Sequence, residues 1–502
     1  MTALYTLKEI RAIEHAAQRT LPEGTLMQRA GTAAAALAKS LLAANAPARE
    51  VLILAGPGNN GGDALDAAAR LADTCNVSIL LFADPTTLPS DAGQAHARAL
   101  QSRAKFFAPE TFLTLFAQEW SLVLDGLFGI GLSRPIAGNL RDVVMALNAR
   151  HLTVLALDIP SGLDTDTGKV IGDEHAAVVA SHTITFIGDK PGLHTCDGRD
   201  YVGMVTVASL DIDSAILPEA HAELNDPALF ARALKPRLQN SHKGSYGDVA
   251  VIGGAPGMAG APLLAARAAA KSGAGRTYIG FAGTALALDH EHPELMCRQA
   301  QDLDFSRFTL VVGPGLGTSS MAHELLLRAL ETKGALVLDA DALNLIAGEP
   351  ALRQKLASRP TPSLLTPHPL EAARLLGISS AEVQTDRPAA ARALAHELNA
   401  VVVLKGSGSI VADASGKIVI NPNGNPGLAT AGSGDVLAGL CGALVAQGLP
   451  IWETALAAVW LHSAAGDLLV EQGIGPIGLT AGELIPPIRS LLNQLTGALN
   501  KG

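Results

Sequence analysis

The feature that most narrows the fold is a succession of short apolar runs: "EVLILAG", "NVSILLFA", "SLVLDGLFG", "LTVLALDIPSG", "HTITFIG" and "MVTVASLDI". Alanine-rich or amphipathic stretches of helical character separate each run from the next. Unbroken Val, Ile and Leu without polar alternation is what a strand buried on both faces requires. Such strands need helices above and below them, so the pattern predicts a parallel sheet inside a three-layer α/β/α domain of Rossmann-like type. The series pauses over "LPEAHAELNDPALFARALKPRLQNSHKGSYG", about thirty polar and proline-containing residues. It then restarts as "GDVAVIGG", "RTYIGFA", "FTLVVGPG", "ALVLDADA", "SLLTPHP", "AVVVLKG" and "GKIVINP". No period links the two series, so two different α/β domains are expected, over 1–222 and 223–502. A chain of 502 residues is also longer than one hydrophobic core usually organises.

Composition excludes several classes of function. A net charge of −10 disfavours a surface built for phosphate backbones, so no nucleic-acid partner is expected. Cys75, Cys196, Cys297 and Cys441 are far apart and form no C-x-x-C pair, which favours reduced thiols over a disulfide framework or a zinc site. The opening stretch "MTALYTLKEIRAIEHAAQRT" interrupts its apolar residues with charges, as an amphipathic helix does and a signal peptide does not. The longest apolar stretch, "VLAGLCGALVAQGLPIW", is broken by Gln447, Gly448 and Pro450, so no membrane span is expected. The expectation is a soluble, cytoplasmic protein that assembles as a homo-oligomer.

In the first half, polar residues gather at strand ends, where open α/β sheets bind ligands. The stretches are "GNNGGD" at 58–63, "LDGLFGIGLSRP" at 124–135 and "LDIPSGLD" at 157–164. Glycines let the backbone approach a phosphate, the following helix N-terminus offers free N–H groups, and Arg134 adds a fixed charge. Asn60, Asp125 and Ser161 are hard oxygen donors. One carboxylate among neutral oxygens suits a monovalent cation better than a divalent one.

In the second half the sharpest signal is "GLATAGSGDVLAGLCGAL" at 427–444. Gly432, Ser433 and Gly434 expose backbone N–H groups where a helix begins, and Asp435 projects from its first turn. Such a turn stabilises a polyphosphate, and the carboxylate can take a proton from a hydroxyl. "VVGPGLG" ends at Gly317, "TPHP" holds His368 between two prolines, and "KGSGS" sets Lys405 ahead of a glycine-serine loop.

The first set of motifs, with "TFIGDKPGL" behind it, resembles the NAD(P)H-hydrate epimerase family over most of residues 1–222. The resemblance implies that Asn59, Asn60, Gly61, Gly62 and Asp63, with Gly129, Ile130, Gly131, Leu132, Ser133, Arg134 and Pro135, hold the hydrated dinucleotide. It further implies that Asn60, Asp125 and Ser161 bind potassium (K+) and that Asp158 contacts the hydrated ring. Asp158 is the expected proton-handling residue, with Lys190 a second candidate. Ala64 and Asp66 depart from the family pattern after "GNNGGD", Asp66 adding a carboxylate one helical turn on.

The second set, "SHKGSYG", "GGAPGMAGAP", "VVGPGLG", "LTPHPLE", "KGSGS" and "AGSGDVLAG", is similar to the ADP-dependent NAD(P)H-hydrate dehydratase family, within the ribokinase-like fold. The implied contacts are Ala261, Gly317, His368 and Asp435 to the hydrated cofactor. Lys405, Gly406, Ser407, Gly408, Ser409 and Gly434 are implied to hold the adenine nucleotide. Ser409 replaces the usual threonine, and Pro369, Leu370 and Glu371 stand where the family has proline, glycine and glutamate. Asp435 would activate the ring hydroxyl for phosphoryl transfer, with magnesium (Mg2+) screening the phosphates. Together the resemblances imply one chain that repairs hydrated NADH and NADPH, using ADP as co-substrate. The rival reading is a ribokinase-like small-molecule kinase with an N-terminal dinucleotide-binding regulatory domain.

Overall fold

A computed structural model describes residues 2–45, 49–172 and 176–499. The chain divides into two compact units, Thr2–Ala222 and the residues from Glu223 onward.

The first unit is built on a seven-stranded sheet. Its order is Lys105–Phe107, Asn76–Leu81, Glu50–Ala55, Leu122–Gly126, Val154–Leu157, His182–Phe186 and Met204–Ala208. Every neighbouring pair is parallel. The apolar runs of the sequence are these strands, and the two-residue side-chain period divides each between two cores. From the central strand, Val51, Ile53 and Ala55 enter a core with helices Leu7–Gln18, Thr25–Asn45, Asn59–Leu71 and Ser90–Gln101. Leu52 and Leu54 enter the opposite core with helices Phe112–Phe116 and Asn139–Asn148. The result is the three-layer arrangement expected. The strand order reverses between Glu50–Ala55 and Leu122–Gly126, which opens a crevice at their carboxyl ends.

In the second unit, strands Met296–Gln299, Arg276–Phe281, Asp248–Gly253, Thr309–Val312, Leu336–Leu338, Leu364–Leu365 and Val401–Leu404 run parallel in that order. Ile410–Ala412 and Ile418–Ile420 extend the sheet antiparallel. Val249 and Val251 face helices Gly260–Lys271, Ser433–Ala446 and Ile451–Glu471 through a core rich in alanine. Ala250 and Ile252, on the other face, are equally buried. The order reverses here between Asp248–Gly253 and Thr309–Val312. Among the described residues, no helix is long and apolar enough to cross a membrane.

Candidate active sites

In the first unit, helix Asn59–Leu71 starts directly after the central strand, so its N-terminus faces the crevice. Gly61 allows this tight start, because a Cβ there would lie 2.0 Å from the Gly56 carbonyl oxygen. A cavity of about 500 Å³ opens above. Asn59, Asn60, Asp63, Gly129, Ile130, Gly131, Leu132, Ser133, Arg134 and Asp158 all line it, joined by Arg11 and Glu14 of the first helix. Gly61 and Gly62 are buried and outside that lining. Pro135 also lies outside it, against Gly172.

Asp125 and Ser161 are fully buried. Ser161 donates its backbone N–H to Asp125 Oδ2 (2.9 Å) and its hydroxyl to Asp125 Oδ1 (2.7 Å). Burial pushes the Asp125 carboxyl up to about 6, against the pull of these bonds and the Leu127 N–H. Asn60 is also buried, and neither its amide nitrogen nor its oxygen has a partner. An orphaned amide beside a ligand cavity calls for a bound group. Asn60, Asp125 and Ser161 together supply the oxygen chemistry a potassium ion accepts.

Asp158 sits at φ +66°, a left-handed conformation uncommon outside glycine and frequent at functional sites. Lys190 is completely buried and holds Asp158 Oδ1 at 2.7 Å. The same ammonium donates to Thr185 Oγ1 at 2.5 Å and lies near the carbonyls of Phe186 (3.2 Å) and Gly188 (3.3 Å). Lys190 is thus locked behind Asp158 and lies outside the cavity lining. Three further carboxyls line the cavity, Glu14, Asp63 and Asp91. Burial and then the Asp158 charge raise Glu14, with Lys190 and Arg11 opposing. Burial, followed by Asp158 and Glu14, raises Asp63 well above the usual range.

Asp66 is no part of the site. It is 1% exposed and ion-paired to Arg70 (2.6 Å) and Arg98 (2.7 Å), turned away from the cavity.

In the second unit, helix Ser433–Ala446 starts after Gly432, whose φ of +88° turns the chain into it. No side chain caps this helix, so its first N–H groups are left for a ligand. Asp339, His368, Glu371, Lys405, Gly406, Gly434 and Asp435 line a cavity of about 390 Å³ at this end. Lys405 Nζ lies 2.9 Å from Asp339 Oδ1, which also accepts from Thr366 Oγ1 at 2.9 Å. A Cβ on Gly434 would come within 3.2 Å of Lys405 Nζ, so the backbone itself covers the ion pair.

Burial and then the Asp339 charge push Asp435 up to about 7, with Lys405 opposing. Burial pulls the Lys405 ammonium down, but Asp339, Glu371 and Asp435 together hold it above its ordinary value. Burial likewise works to raise Glu371, yet bonds from His368 and the Lys405 charge leave it below the usual range.

His368 is a helix cap as well as a cavity residue. Its Nδ1 accepts from the Leu370 N–H (3.1 Å) and the Glu371 N–H (3.4 Å), while Glu371 accepts the His368 N–H (2.9 Å). His368, between its two prolines, therefore stands at the start of helix Pro369–Leu376.

Ala261, Gly317, Ser407, Gly408 and Ser409 fall outside the cavity lining. Ala261 lies beside Gly315, and Gly317 donates its N–H to Asp341 Oδ2 (2.8 Å) at the sheet's reversal point. Ser409 closes its own loop on Gly406. Behind that loop, buried Arg387 donates to the carbonyls of Lys405, Leu404 and Gly408. Among the described residues, no group of three or more His, Cys, Asp or Glu forms a metal cage.

Four residues escaped the sequence reading. Glu14 lies on a helix with no motif. Asp339 follows a plain apolar strand. Arg387 looks like any helix-start cation. His462 is buried 3.0 Å from the Ser433 carbonyl, and burial lowers it to about 4, so it holds the helix start as a neutral ring.

Two family models match the chain: YjeF-related protein N-terminus over residues 23–192 and NAD(P)H-hydrate dehydratase over residues 249–486. The chain is 40% identical to the bifunctional NAD(P)H-hydrate repair enzyme Nnr of Coxiella burnetii, over 98% of this chain and 100% of the relative. It is 36% identical to the Vibrio cholerae protein of the same name, over 98% of each. The ADP/ATP-dependent NAD(P)H-hydrate dehydratase of Bacillus subtilis, co-crystallized with ATP/Mg2+, is a solved structure 28% identical to it. That likeness covers 54% of this chain and 98% of the other, with a TM-score of 0.47.

Proposed function

The chain belongs to the family of bifunctional NAD(P)H-hydrate repair enzymes, and from that premise we propose which residues carry each reaction. The enzyme interconverts the R and S epimers of hydrated NADH and NADPH, and dehydrates the S epimer to the intact cofactor at the expense of ADP. The rival kinase reading leaves the N-terminal match unexplained.

In the epimerase unit, the free N–H groups at Asn59 and the turn Gly129–Arg134 receive the dinucleotide. Asp158, backed by Lys190, handles the proton. Asn60, Asp125 and Ser161 would hold potassium, which supplies a fixed positive charge near the phosphates. The unpartnered Asn60 amide supports this assignment.

In the dehydratase unit, Lys405, Gly406, Ser407, Gly408, Ser409 and Gly434 hold the nucleotide, while Ala261, Gly317 and His368 hold the hydrated cofactor. Magnesium bound to the ADP phosphates would screen their charge during the transfer. Asp435 takes the proton of the ring hydroxyl as its oxygen attacks the terminal phosphoryl group. AMP leaves as the phosphoryl group is transferred; phosphate then departs with the C–O bond pair, and loss of a proton from the neighbouring ring carbon restores the double bond. The observation that carries this reading is Asp435 itself: a carboxylate tuned to about 7, at an uncapped helix N-terminus beside the Lys405–Asp339 pair. All four cysteines are free thiols, in keeping with the cytoplasmic setting we assign. Replacement of Asp435 by Asn, developed below, tests the assignment.

A further inference from the structure

We propose that Glu14 is a second catalytic residue of the epimerase, the proton donor that complements Asp158. The proposal rests on the epimerase reading of the first unit.

Helix Leu7–Gln18 lies outside the matched stretch 23–192, and its cap and its packing hold it against the sheet's first core. Thr6 and Glu9 close a capping box at its start. The Leu7 N–H donates to Asp166 Oδ1 (2.7 Å), on the loop that follows Asp158. Ile10, Ile13 and Ala17 bury the inner face. Glu14 is thereby presented to the same cavity as Asp158 and Asp63.

The two environments differ in kind. Asp158 is matched by the Lys190 ammonium at 2.7 Å. Glu14 makes no hydrogen bond or ion pair among the described residues. The charges that act on it are Asp158, Lys190 and Arg11, and the other charged groups lining the cavity are Asp63, Asp91 and Arg134. Burial and the Asp158 charge keep Glu14 protonated to higher pH than a free glutamate. Two carboxyls with diverging environments are the arrangement that separates an acid from a base.

Epimerisation needs both. The hydroxyl carbon is bonded to the ring nitrogen. As its C–O bond breaks, the electron pair stays on oxygen, which takes the Glu14 proton and leaves as water. The nitrogen lone pair forms a C=N⁺ bond. A water then adds from the opposite face, the π pair returns to nitrogen, and the surplus proton passes to Asp158. One carboxyl cannot serve both faces of the ring, and the reverse reaction exchanges the two roles.

The test is Glu14→Gln in the full-length chain, given a single epimer of hydrated NADH without ADP, with the parent enzyme alongside. The expected result is a kcat about 100-fold lower at unchanged KM, with loss of the parent's decline in rate at high pH. Glu14→Asp, which keeps the carboxyl, should recover part of the rate, and both variants should melt with the parent. A Glu14→Gln kcat within about threefold of the parent, or a raised KM at unchanged kcat, overturns the proposal. A parent that fails to interconvert the epimers overturns the epimerase reading itself, which is a separate result.

Discussion

Replacing Asp435 by Asn removes the base of the dehydratase while keeping its shape. With Asp435 at about 7, only about a tenth of the carboxyl is ionised at one pH unit below that value. A base works deprotonated, so kcat/KM for dehydration should rise about tenfold per pH unit below neutrality and level off above it. Asp435→Asn should abolish that dependence and lower the plateau by about 10² to 10⁴, or about 3 to 5 kcal/mol of transition-state stabilisation. Nucleotide affinity should hold, because the backbone N–H groups of the helix start are untouched. A second variant checks the cause of the shift. Asp339→Asn deletes the like charge that raises Asp435 and frees Lys405 to approach it, so the pH midpoint should move down. The assay follows recovery of nicotinamide absorbance from the S epimer with saturating MgADP. A flat profile in the parent, or near-parent activity in Asp435→Asn, would refute the reasoning.

The remaining predictions concern the first unit. Lys190→Met should slow epimerisation about 100-fold and lower the unit's unfolding free energy by about 3 kcal/mol, since it strands a partly buried carboxylate; unchanged values in stopped assay and calorimetry would reject the pairing. Epimerisation should require potassium, and Asp125→Ala should remove that preference and weaken binding of the hydrated dinucleotide. Equal parent rates in potassium, sodium and bulky organic-cation buffers would exclude the ion. Gly61→Ala places a methyl 2.0 Å from the Gly56 carbonyl oxygen. It should therefore cost about 3 kcal/mol in the first unit and leave dehydration unaffected; a parent-like first-unit melt would contradict the packing.

The layering of both units was legible because buried parallel strands leave unbroken apolar runs. "EVLILAG" became Glu50–Ala55 and "AVVVLKG" became Val401–Leu404. Strands without such a run went unseen. Lys105–Phe107 is short, at an edge and partly exposed, and Ile410–Ala412 is a three-residue arm of a hairpin. Glycine-rich strand ends also announced themselves, because the close approach of backbone at Gly61 leaves no room for a side chain. What the sequence withheld is long-range pairing. Nothing local says that Lys405 meets Asp339, sixty-six positions away, or that Asp66 turns from the cavity toward Arg98. The role of Glu14 is hidden for the same reason: a lone charge on an amphipathic helix reads as solvated until the fold sets it in the same cavity as Asp158.

The most direct test of the two-site account starts from the pure R epimer of hydrated NADH, with the full-length chain in potassium buffer. Without ADP, chromatography should show conversion to a mixture of epimers and no recovered NADH. Addition of MgADP should then convert the whole pool to NADH, with one equivalent of ADP consumed per cofactor. Asp158→Asn should instead leave the R epimer untouched while still consuming the S epimer. Recovery of NADH directly from the R epimer in Asp158→Asn, at the parent rate, would contradict the assignment of epimerisation to the first unit.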